Sequence, residues 1–475
     1  MFRKLPAFLT RMFERSSSAD ELPDATVIPR DQHPISRKQI SRAALDVLYG
    51  LHKAGFEAWL VGGCLRDILT GSEPKDFDVV TNATPEQVHE VFRRSRIIGR
   101  RFRLVHVRFG RDVIEVATFR ALNSDGEDRH HSDHGQILRD NVFGDIQEDA
   151  LRRDFTINAL YYNIADFTLH DFVGSMKDIE ARRIRLIGDP DQRYREDPVR
   201  MLRAARFAAK LDFELDPATE APIKTQAELL HNVPPARLFD EVLKAFLTGH
   251  ALRSWEILQH YGLFDILFPE TARVIAEGDE TAVELIRAAM INTDRRIERG
   301  RPVTPAFLYG VFLWPAVRAR IERHRNNGMA PAEAMHKATS QVIAEQVQVI
   351  AIPRRFSSVM REIWEQQPRL ARRAKRAQQI MENPRFRASY DFLLLREQAG
   401  EIEPGLGDWW TRYQEVSPDE RLEMLRELQG QPGGKAAEGE GGKRRRKRRP
   451  RRRKSSAGAG PENPQPASQN GGGEA

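Results

Sequence analysis

The stretch Ala58-Trp59-Leu60-Val61-Gly62-Gly63-Cys64-Leu65-Arg66-Asp67 indicates the fold of this 475-residue chain. Its apolar run and paired glycines predict a strand, a tight turn and a helix that continues to Gly71. Glycines let backbone N–H groups approach a phosphate, and a helix amino end favours an anion. Arg66 adds a bidentate donor. Gly62, Gly63 and Arg66 therefore predict a phosphate-binding turn, although such a turn alone is also an ordinary connection.

Two carboxylates follow the turn, in Asp76-Phe77-Asp78. Placed two residues apart on a strand, Asp76 and Asp78 point to the same face. Mg²⁺ prefers one or two carboxylates together with substrate phosphates, and a pair of such ions can hold the attacking and leaving oxygens of a phosphoryl-type transfer. The spacing predicts a site for Mg²⁺, with Mn²⁺ as the alternative metal. An isolated Asp-x-Asp can also be a solvated strand end.

Glu115 lies inside the apolar run Val113-Ile114-Glu115-Val116-Ala117. A carboxylate on the inner face of a strand is costly unless it is paired or bound to a metal. Glu115 is therefore a candidate third metal ligand, and a Glu115 that points to solvent would have no such role. The sequence leaves these two alternatives open.

Two further segments carry candidate binding residues. In Arg152-Arg153-Asp154-Phe155-Thr156-Ile157-Asn158-Ala159 the arginines could hold phosphates, and the spacing of Asp154 and Asn158 places both on one helical face. In Glu196-Asp197-Pro198-Val199-Arg200 an acceptor and a donor open a helix that also carries Arg203 and Arg206. Asp197 and Arg200 could together bind the edge of a base. The alternative is a capped helix with a salt-bridged solvent face.

The remaining pattern predicts a small α/β unit followed by helices. The glycine turn is preceded in the sequence by a predicted helix over Ile40–Leu51. It is followed by a helix capped by Thr84 and by strands over Phe77–Val80, Leu104–Phe109 and Val113–Ala117. Residues 123–134 break this pattern and are expected to form a loop. Its histidines, His130, His131 and His134, are set aside as metal ligands because a loop would not fix their geometry. From Asp149 onward helical signals dominate.

Composition separates the chain from its carboxy-terminal tail. The chain is 40% hydrophobic, has one cysteine and lacks an apolar run long enough to span a membrane, so a disulfide framework and a transmembrane segment are not expected. The formal charge is +7. Residues 443–454 alone contribute eleven positive charges, so the remainder of the chain is net negative. These cations, predicted to bind RNA, are Lys443, Arg444, Arg445, Arg446, Lys447, Arg448, Arg449, Arg451, Arg452, Arg453 and Lys454.

The four motifs, taken in order, resemble those of the class II nucleotidyltransferases, a family of bacterial poly(A) polymerases and CCA-adding tRNA nucleotidyltransferases. The resemblance covers about residues 36–270. It implies an α/β polymerase-β-like nucleotidyltransferase head followed by all-α neck, body and tail domains. The expected division of the chain is a flexible amino-terminal extension (1–35), the head (36–180), a nucleotide- and RNA-binding neck (181–275), a body with an Arg-rich region (276–430) and a disordered basic tail (431–475).

The resemblance also implies roles for the candidate residues. Asp76 and Asp78 would bind the catalytic metals, and Asp154 would be a further catalytic carboxylate. ATP would be bound by Gly62, Gly63, Arg66, Arg153, Asn158, Asp197 and Arg200. Cys64 and Leu65 depart from the commonest pattern but keep its small or apolar character.

Three features favour the poly(A) polymerase branch. The run Ile97–Val107 resembles that branch, as do Arg193-Tyr194-Arg195 and the basic tail. We therefore expect a template-independent enzyme that adds AMP from ATP to RNA 3′ ends. The alternatives are a CCA-adding enzyme and a non-catalytic RNA-binding protein on the same fold. A cytoplasmic protein is expected. Contacts of the tail with RNA-decay proteins and of Met1–Arg15 with a membrane surface are left open.

Overall fold

The computed structural model describes residues 24–99, 103–122, 129–131, 137–140, 142–372 and 376–430. The basic tail, Met1–Arg15 and His134 lie outside the described residues. Within the described part, no helix is both long and apolar enough to cross a membrane.

The amino-terminal part of the chain alternates strands and short helices. In chain order these are β1 (Thr26–Ile28), α1 (Arg42–Lys53), β2 (Ala58–Val61), α2 (Gly63–Leu69), β3 (Asp78–Thr81), α3 (Pro85–Val91), β4 (Ser95–Ile98), β5 (Leu104–Phe109), β6 (Asp112–Thr118), β7 (Arg129–His131), β8 (Ile137–Asp140), α4 (Ile146–Arg152), β9 (Leu160–Asn163), β10 (Leu169–Asp171), α5 (Ser175–Glu180) and β11 (Arg183–Ile184).

Helices make up almost all of the rest. They are α6 (Pro190–Glu196), α7 (Val199–Leu211), then after β12 (Glu214–Leu215) α8 (Pro217–Gln226), α9 (Pro235–Phe246), α10 (Ala251–His260), α11 (Leu263–Leu267), α12 (Pro269–Ala276), α13 (Glu280–Glu298), α14 (Pro305–Asn326), α15 (Pro331–Val349), α16 (Arg354–Ala371), α17 (Ala377–Met381), α18 (Phe386–Gln398), α19 (Leu406–Glu415) and α20 (Pro418–Gly430).

An eight-stranded mixed sheet organises the head, with strand order β1-β10-β9-β2-β3-β6-β5-β4. Directly opposed residues form one row across five of these strands, running Tyr161, Val61, Asp78, Glu115 and His106. Opposed residues point to the same face of a sheet. The row therefore places the candidate carboxylates on one face, while the other face packs against α1 in the main apolar core.

Two apolar clusters of different size stabilise the helical part. The main cluster extends from the head through α7, α9 and α14 to α18. A second, smaller cluster joins the end of α16 to α17–α20 around Trp410. The region predicted as one unit, 276–430, thus contributes to two cores. Between head and helices, β11 pairs in parallel with β12.

The structure corrects two expectations about loops. The amino-terminal extension 1–35 was predicted to be flexible, but residues 26–28 form β1 and pair with β10. A three-residue edge strand is too short to leave a period in the sequence, and it is specified by its partner strand. The segment 123–134 was predicted to be a loop, yet β7 and β8 form a hairpin that includes His130 and His131.

Candidate active site

The glycine turn between β2 and α2 lies directly against the carboxylate row. Gly62 has φ = 86°, in the region that favours glycine. A Cβ at Gly62 would lie 3.5 Å from Asp78 Oδ2 and 4.0 Å from Arg153 Nη1. The strand–turn–helix prediction is confirmed, and the turn brings backbone within reach of one carboxylate and one guanidinium.

Asp78 is the first residue of β3, and Asp76 lies just before the strand; both residues keep solvent-accessible surface, although neighbouring atoms crowd the Asp78 carboxyl. Burial among neighbouring groups, Glu115 and Asp76 raise the pKa of Asp78 to about 6, against the opposing influence of Arg153. No described residue forms an ion pair with Asp78. Arg153 offsets the repulsion between these carboxylates only in part, and like-charged carboxylates whose charge is not balanced favour a further cation.

The donor set fits Mg²⁺ in part. Among the described residues, no three carboxylate, imidazole or thiol groups are arranged to hold one ion. Two carboxylates with substrate oxygens completing the shell are nevertheless an ordinary Mg²⁺ environment. Asp76 and Asp78 are therefore the residues that would hold it.

The position of Glu115 combines features of the two expected alternatives, a metal ligand and a solvent-facing side chain. It lies on the same face as Asp78, directly opposite it in the sheet. Its side chain is 54% exposed and its Oε1 lies 3.1 Å from Nε2 of His106. The structure thus excludes a buried inner-face carboxylate but keeps Glu115 beside Asp78, and its role as a third ligand stays a prediction.

Arg66 is buried, and all three of its guanidinium nitrogens donate to groups of the protein. Its Nη1 donates to Asn158 Oδ1 at 2.5 Å and its Nε donates to Asp67 Oδ1 at 2.9 Å. These contacts fix the start of α2 against the segment that carries Asn158. Any contact of Arg66 with a phosphate would have to come from donors that these bonds leave over.

Arg153 belongs to a closed hydrogen-bonded triad. Its Nε donates to Tyr161 Oη at 2.8 Å and its Nη2 donates to Asp149 Oδ2 at 3.1 Å. Tyr161 in turn donates to Asp149 Oδ2 at 2.7 Å. Burial would lower the pKa of Arg153, but Tyr161 and Asp149 hold it above its ordinary value.

Asp154 and Asn158 meet, but not on the predicted helix. The helix α4 ends at Arg152, and residues 156–158 form a 3₁₀ turn after an extended link. Asn158 Nδ2 donates to Asp154 Oδ1 at 3.3 Å, and Arg203 Nε from α7 donates to Asp154 Oδ2 at 2.7 Å. Burial opposes the effect, but Arg203 lowers the pKa of Asp154 to about 2. Its catalytic role stays a prediction.

The side chains of Asp197 and Arg200 bond to other groups of the chain, and the two residues are joined by the Arg200 N–H, which donates to the Asp197 carbonyl at 3.0 Å. Asp197 accepts two bonds of 2.7 Å from Arg237 of α9. Arg200 is buried and donates to the carbonyl of Arg193 at 2.6 Å and to Glu196 at 3.2 Å. The role of Asp197 and Arg200 in binding a base stays a prediction. The alternative of a capped helix with a solvent face does not describe this segment, because α7 has no side-chain cap and Arg200 is buried.

Several site residues carried no clear signal in the sequence. Arg237 lies 40 residues from Asp197, and Asp149 and Tyr161 flank Arg153 on different elements. Arg193 was recognised only as part of a branch-specific run. It donates to the carbonyls of Arg152 and Arg153 at 2.7 Å each, which ties α6 to the head.

Comparison with known proteins identifies three matching regions. The family described as "Poly A polymerase head domain" matches residues 58–185. "Probable RNA and SrmB- binding site of polymerase A" matches residues 212–275, and "Polymerase A arginine-rich C-terminus" matches residues 327–454.

Curated relatives separate the two branches by coverage. Poly(A) polymerase I of Salmonella typhi is 48% identical over 446 residues, covering 91% of this chain and 96% of the relative. The Haemophilus influenzae poly(A) polymerase I is 46% identical, covering 86% and 92%. A CCA-adding enzyme of Lactobacillus helveticus is 37% identical over 214 residues, covering only 45% and 52%.

Solved structures support the fold. The CCA-adding enzyme of Bacillus stearothermophilus in complex with CTP aligns with a TM-score of 0.53 at 23% identity, covering 83% of this chain and 88% of that one. A tRNA-processing enzyme in an apo form aligns at 0.54 and 22% identity, covering 80% and 99%. Head and helical domains therefore follow a shared architecture.

Proposed function

This chain belongs to the poly(A) polymerase family, and on that premise we propose that it adds AMP from ATP to RNA 3′-hydroxyl ends without a template. The proposal rests on how much of each relative's length matches this chain. Relatives called poly(A) polymerase I match along nearly their whole length, whereas the CCA-adding relative matches over about half of its own length.

The reaction is a nucleotidyl transfer. The RNA 3′-oxygen attacks the α-phosphorus of ATP, the bond from that phosphorus to the bridging oxygen breaks, and pyrophosphate leaves while the hydroxyl proton passes to solvent. Asp76 and Asp78 would hold Mg²⁺ or Mn²⁺, and a bound divalent ion stabilises the developing alkoxide and the leaving oxygens. The like-charged surroundings of Asp78 support this assignment.

The chain's own groups would bind the nucleotide. Gly62 and Gly63 offer backbone N–H groups beside Asp78, and Arg153 presents a guanidinium at the same place. Asp197 and Arg200 would select the base, because a site that hydrogen-bonds one base edge penalises another by leaving polar groups unpaired. Their partners, Arg237 and Glu196, hold the two side chains in place before a nucleotide binds, which supports this assignment.

The basic tail would add affinity for RNA. Its cations would bind phosphates with little sequence preference, and the affinity would fall steeply with salt. A chain without residues 431–475 should show a shallower dependence of RNA affinity on salt, and an unchanged slope would reject the role. RNA-decay proteins are the other partners proposed for the tail, and a peripheral membrane contact is proposed for Met1–Arg15.

Primer extension tests the function. A 5′-labelled RNA is incubated with Mg²⁺ and each nucleoside triphosphate separately, in parallel with a tRNA that lacks its terminal CCA. A long ladder with ATP on the generic RNA is expected. Addition confined to the tRNA and ending after two C and one A would instead place the chain with the CCA-adding enzymes.

A further inference from the structure

The Arg153 triad leaves one nitrogen of its guanidinium uncommitted. Nε is used by Tyr161 and Nη2 by Asp149. Nη1 makes no hydrogen bond to another described residue, and it lies 4.0 Å from the point where Gly62 would carry a Cβ. A flexible cation is thus fixed at two nitrogens and presents the third at the glycine turn.

The two anchors are themselves firmly placed. Tyr161 belongs to β9 and shares the sheet row of Asp78, separated from it only by Val61. Its ring is fully buried, packs edge-on against Phe172 and lies under the Arg153 guanidinium at 5.2 Å. Asp149 is 7% exposed and projects from α4. Both side chains are thus buried.

We propose that Tyr161 and Asp149 are positioning residues that hold Arg153 so that its Nη1 contacts the triphosphate of the incoming nucleotide. This inference rests on the proposed function. Guanidinium groups bind phosphate oxygens through donors in a fixed plane, so a preset plane loses less conformational freedom on binding. Gly62 leaves the space in which a phosphate can lie between Nη1 and the backbone.

The chemistry of Tyr161 suits this role. Burial raises the pKa of its phenol well above the ordinary value, so the hydroxyl stays protonated. It can then accept from Arg153 and donate to Asp149 at the same time. Phenylalanine would keep the ring and its packing but would remove both hydrogen bonds.

The first test measures ligand affinity with the full chain, Mg²⁺ and no RNA, so that no transfer occurs. Tyr161→Phe should weaken binding of ATP and of pyrophosphate by the same factor, about tenfold for a loss near 1.4 kcal/mol. Adenosine affinity should change by less than about twofold. Tyr261→Phe is the matched control, because Tyr261 also donates to a carboxylate, Glu220, at 2.8 Å in the helical part of the chain. It should leave all three affinities unchanged.

A double-mutant cycle separates positioning from general support. If Tyr161 acts through Arg153, then Tyr161→Phe should have no further effect on ATP affinity in an Arg153→Ala background. Asp149→Asn, which keeps an acceptor for the Tyr161 hydroxyl, should weaken ATP binding less than Asp149→Ala. Equal losses for adenosine and pyrophosphate, or additive effects in the cycle, would overturn the proposal.

The outcomes also separate this inference from the function on which it rests. A wild-type chain that binds ATP but does not extend RNA would reject the proposed function. A wild-type chain that extends RNA while Tyr161→Phe binds pyrophosphate normally would reject only the positioning role. Thermal unfolding of each variant checks that a lost affinity does not follow from a lost fold.

Discussion

Asp78 and Asp154 are the same residue type in opposite electrostatic settings. Asp78 lies at an open strand end among other carboxylates, and its pKa is raised to about 6. Asp154 lies at the junction with α7 and holds Arg203, and its pKa is lowered to about 2. Arg153 acts on Asp78 without forming an ion pair with it, whereas Arg203 forms an ion pair with Asp154. The difference suggests distinct roles: Asp78 is proposed to bind a metal ion, whereas Asp154 holds α7 against the head through Arg203.

Removing the Asp78 carboxylate should have the largest effect on activity. Asp78→Ala should reduce AMP transfer by more than about 10³-fold, because several kcal/mol of metal-derived stabilisation is lost. Stability without metal should not fall, since a repulsive charge is removed. Primer extension and thermal unfolding measure the two effects. Asp112→Ala, at the exposed start of β6, is the control, and near-normal transfer by the Asp78 variant would contradict the metal assignment.

Substitution of Asp154, unlike that of Asp78, should lower the free energy of unfolding. Asp154→Asn leaves Arg203 without its charged partner, and breaking this partly buried pair, whose side chains are 30% and 14% exposed, should cost about 2 kcal/mol. Urea unfolding measures that loss. Asp212→Asn breaks a pair with Arg253 whose side chains are 46% and 69% exposed, so it should cost less than about 1 kcal/mol. Equal losses in the two variants would show that the Asp154 pair is no better placed than a surface pair.

Arg237 holds Asp197, one of the two residues proposed to select the base. Arg237→Ala frees Asp197 from two hydrogen bonds, and the preference for ATP over CTP should fall by roughly fivefold for a loss near 1 kcal/mol. The ratio of kcat/KM for the two nucleotides measures it. Arg253→Ala, on the exposed pair, serves as control. An unchanged ratio would mean that the position of Asp197 does not contribute to base selection.

The smallest effects are opposite slopes of stability with pH. The pKa of Asp78 is raised from 3.8, so the metal-free native state binds more protons than the unfolded state, and its contribution to stability is lost as pH rises from about 4 to 6. The pKa of Asp154 is depressed, so its contribution is present above about pH 4 and is lost as pH falls toward 2. Unfolding curves of wild type against Asp78→Asn and Asp154→Asn, in chelator, isolate each slope. Slopes of the same sign would refute the contrast.

Local sequence signals predicted the parts of the site that are local in the chain. The strand, the glycine turn and α2 follow one another without interruption, and Asp76 and Asp78 need only a strand to share a face. The order of the motifs was enough to predict the head followed by helices. These features depend on a few neighbouring residues, so a pattern in one window can specify them.

The partners of the predicted residues could not be found in this way. Arg203 reaches Asp154 across 49 positions, and Arg237 reaches Asp197 across 40. Such contacts depend on how α7 and α9 pack, which periodicity does not determine. The spacing of Asp154 and Asn158 predicted a shared helical face, but an extended link and a 3₁₀ turn bring the two side chains together instead.

The second apolar cluster has a consequence for how the molecule comes apart. Helix α18 contributes Phe392 and Leu395 to the main core and Phe386, Tyr390 and Leu393 to the smaller one, whereas α19 and α20 serve the smaller one alone. Backbone amides in α19 and α20 should therefore exchange with solvent deuterium through a local opening that leaves the sheet closed. Among the described helices, α19 and α20 would then open before the helices that belong to the main core.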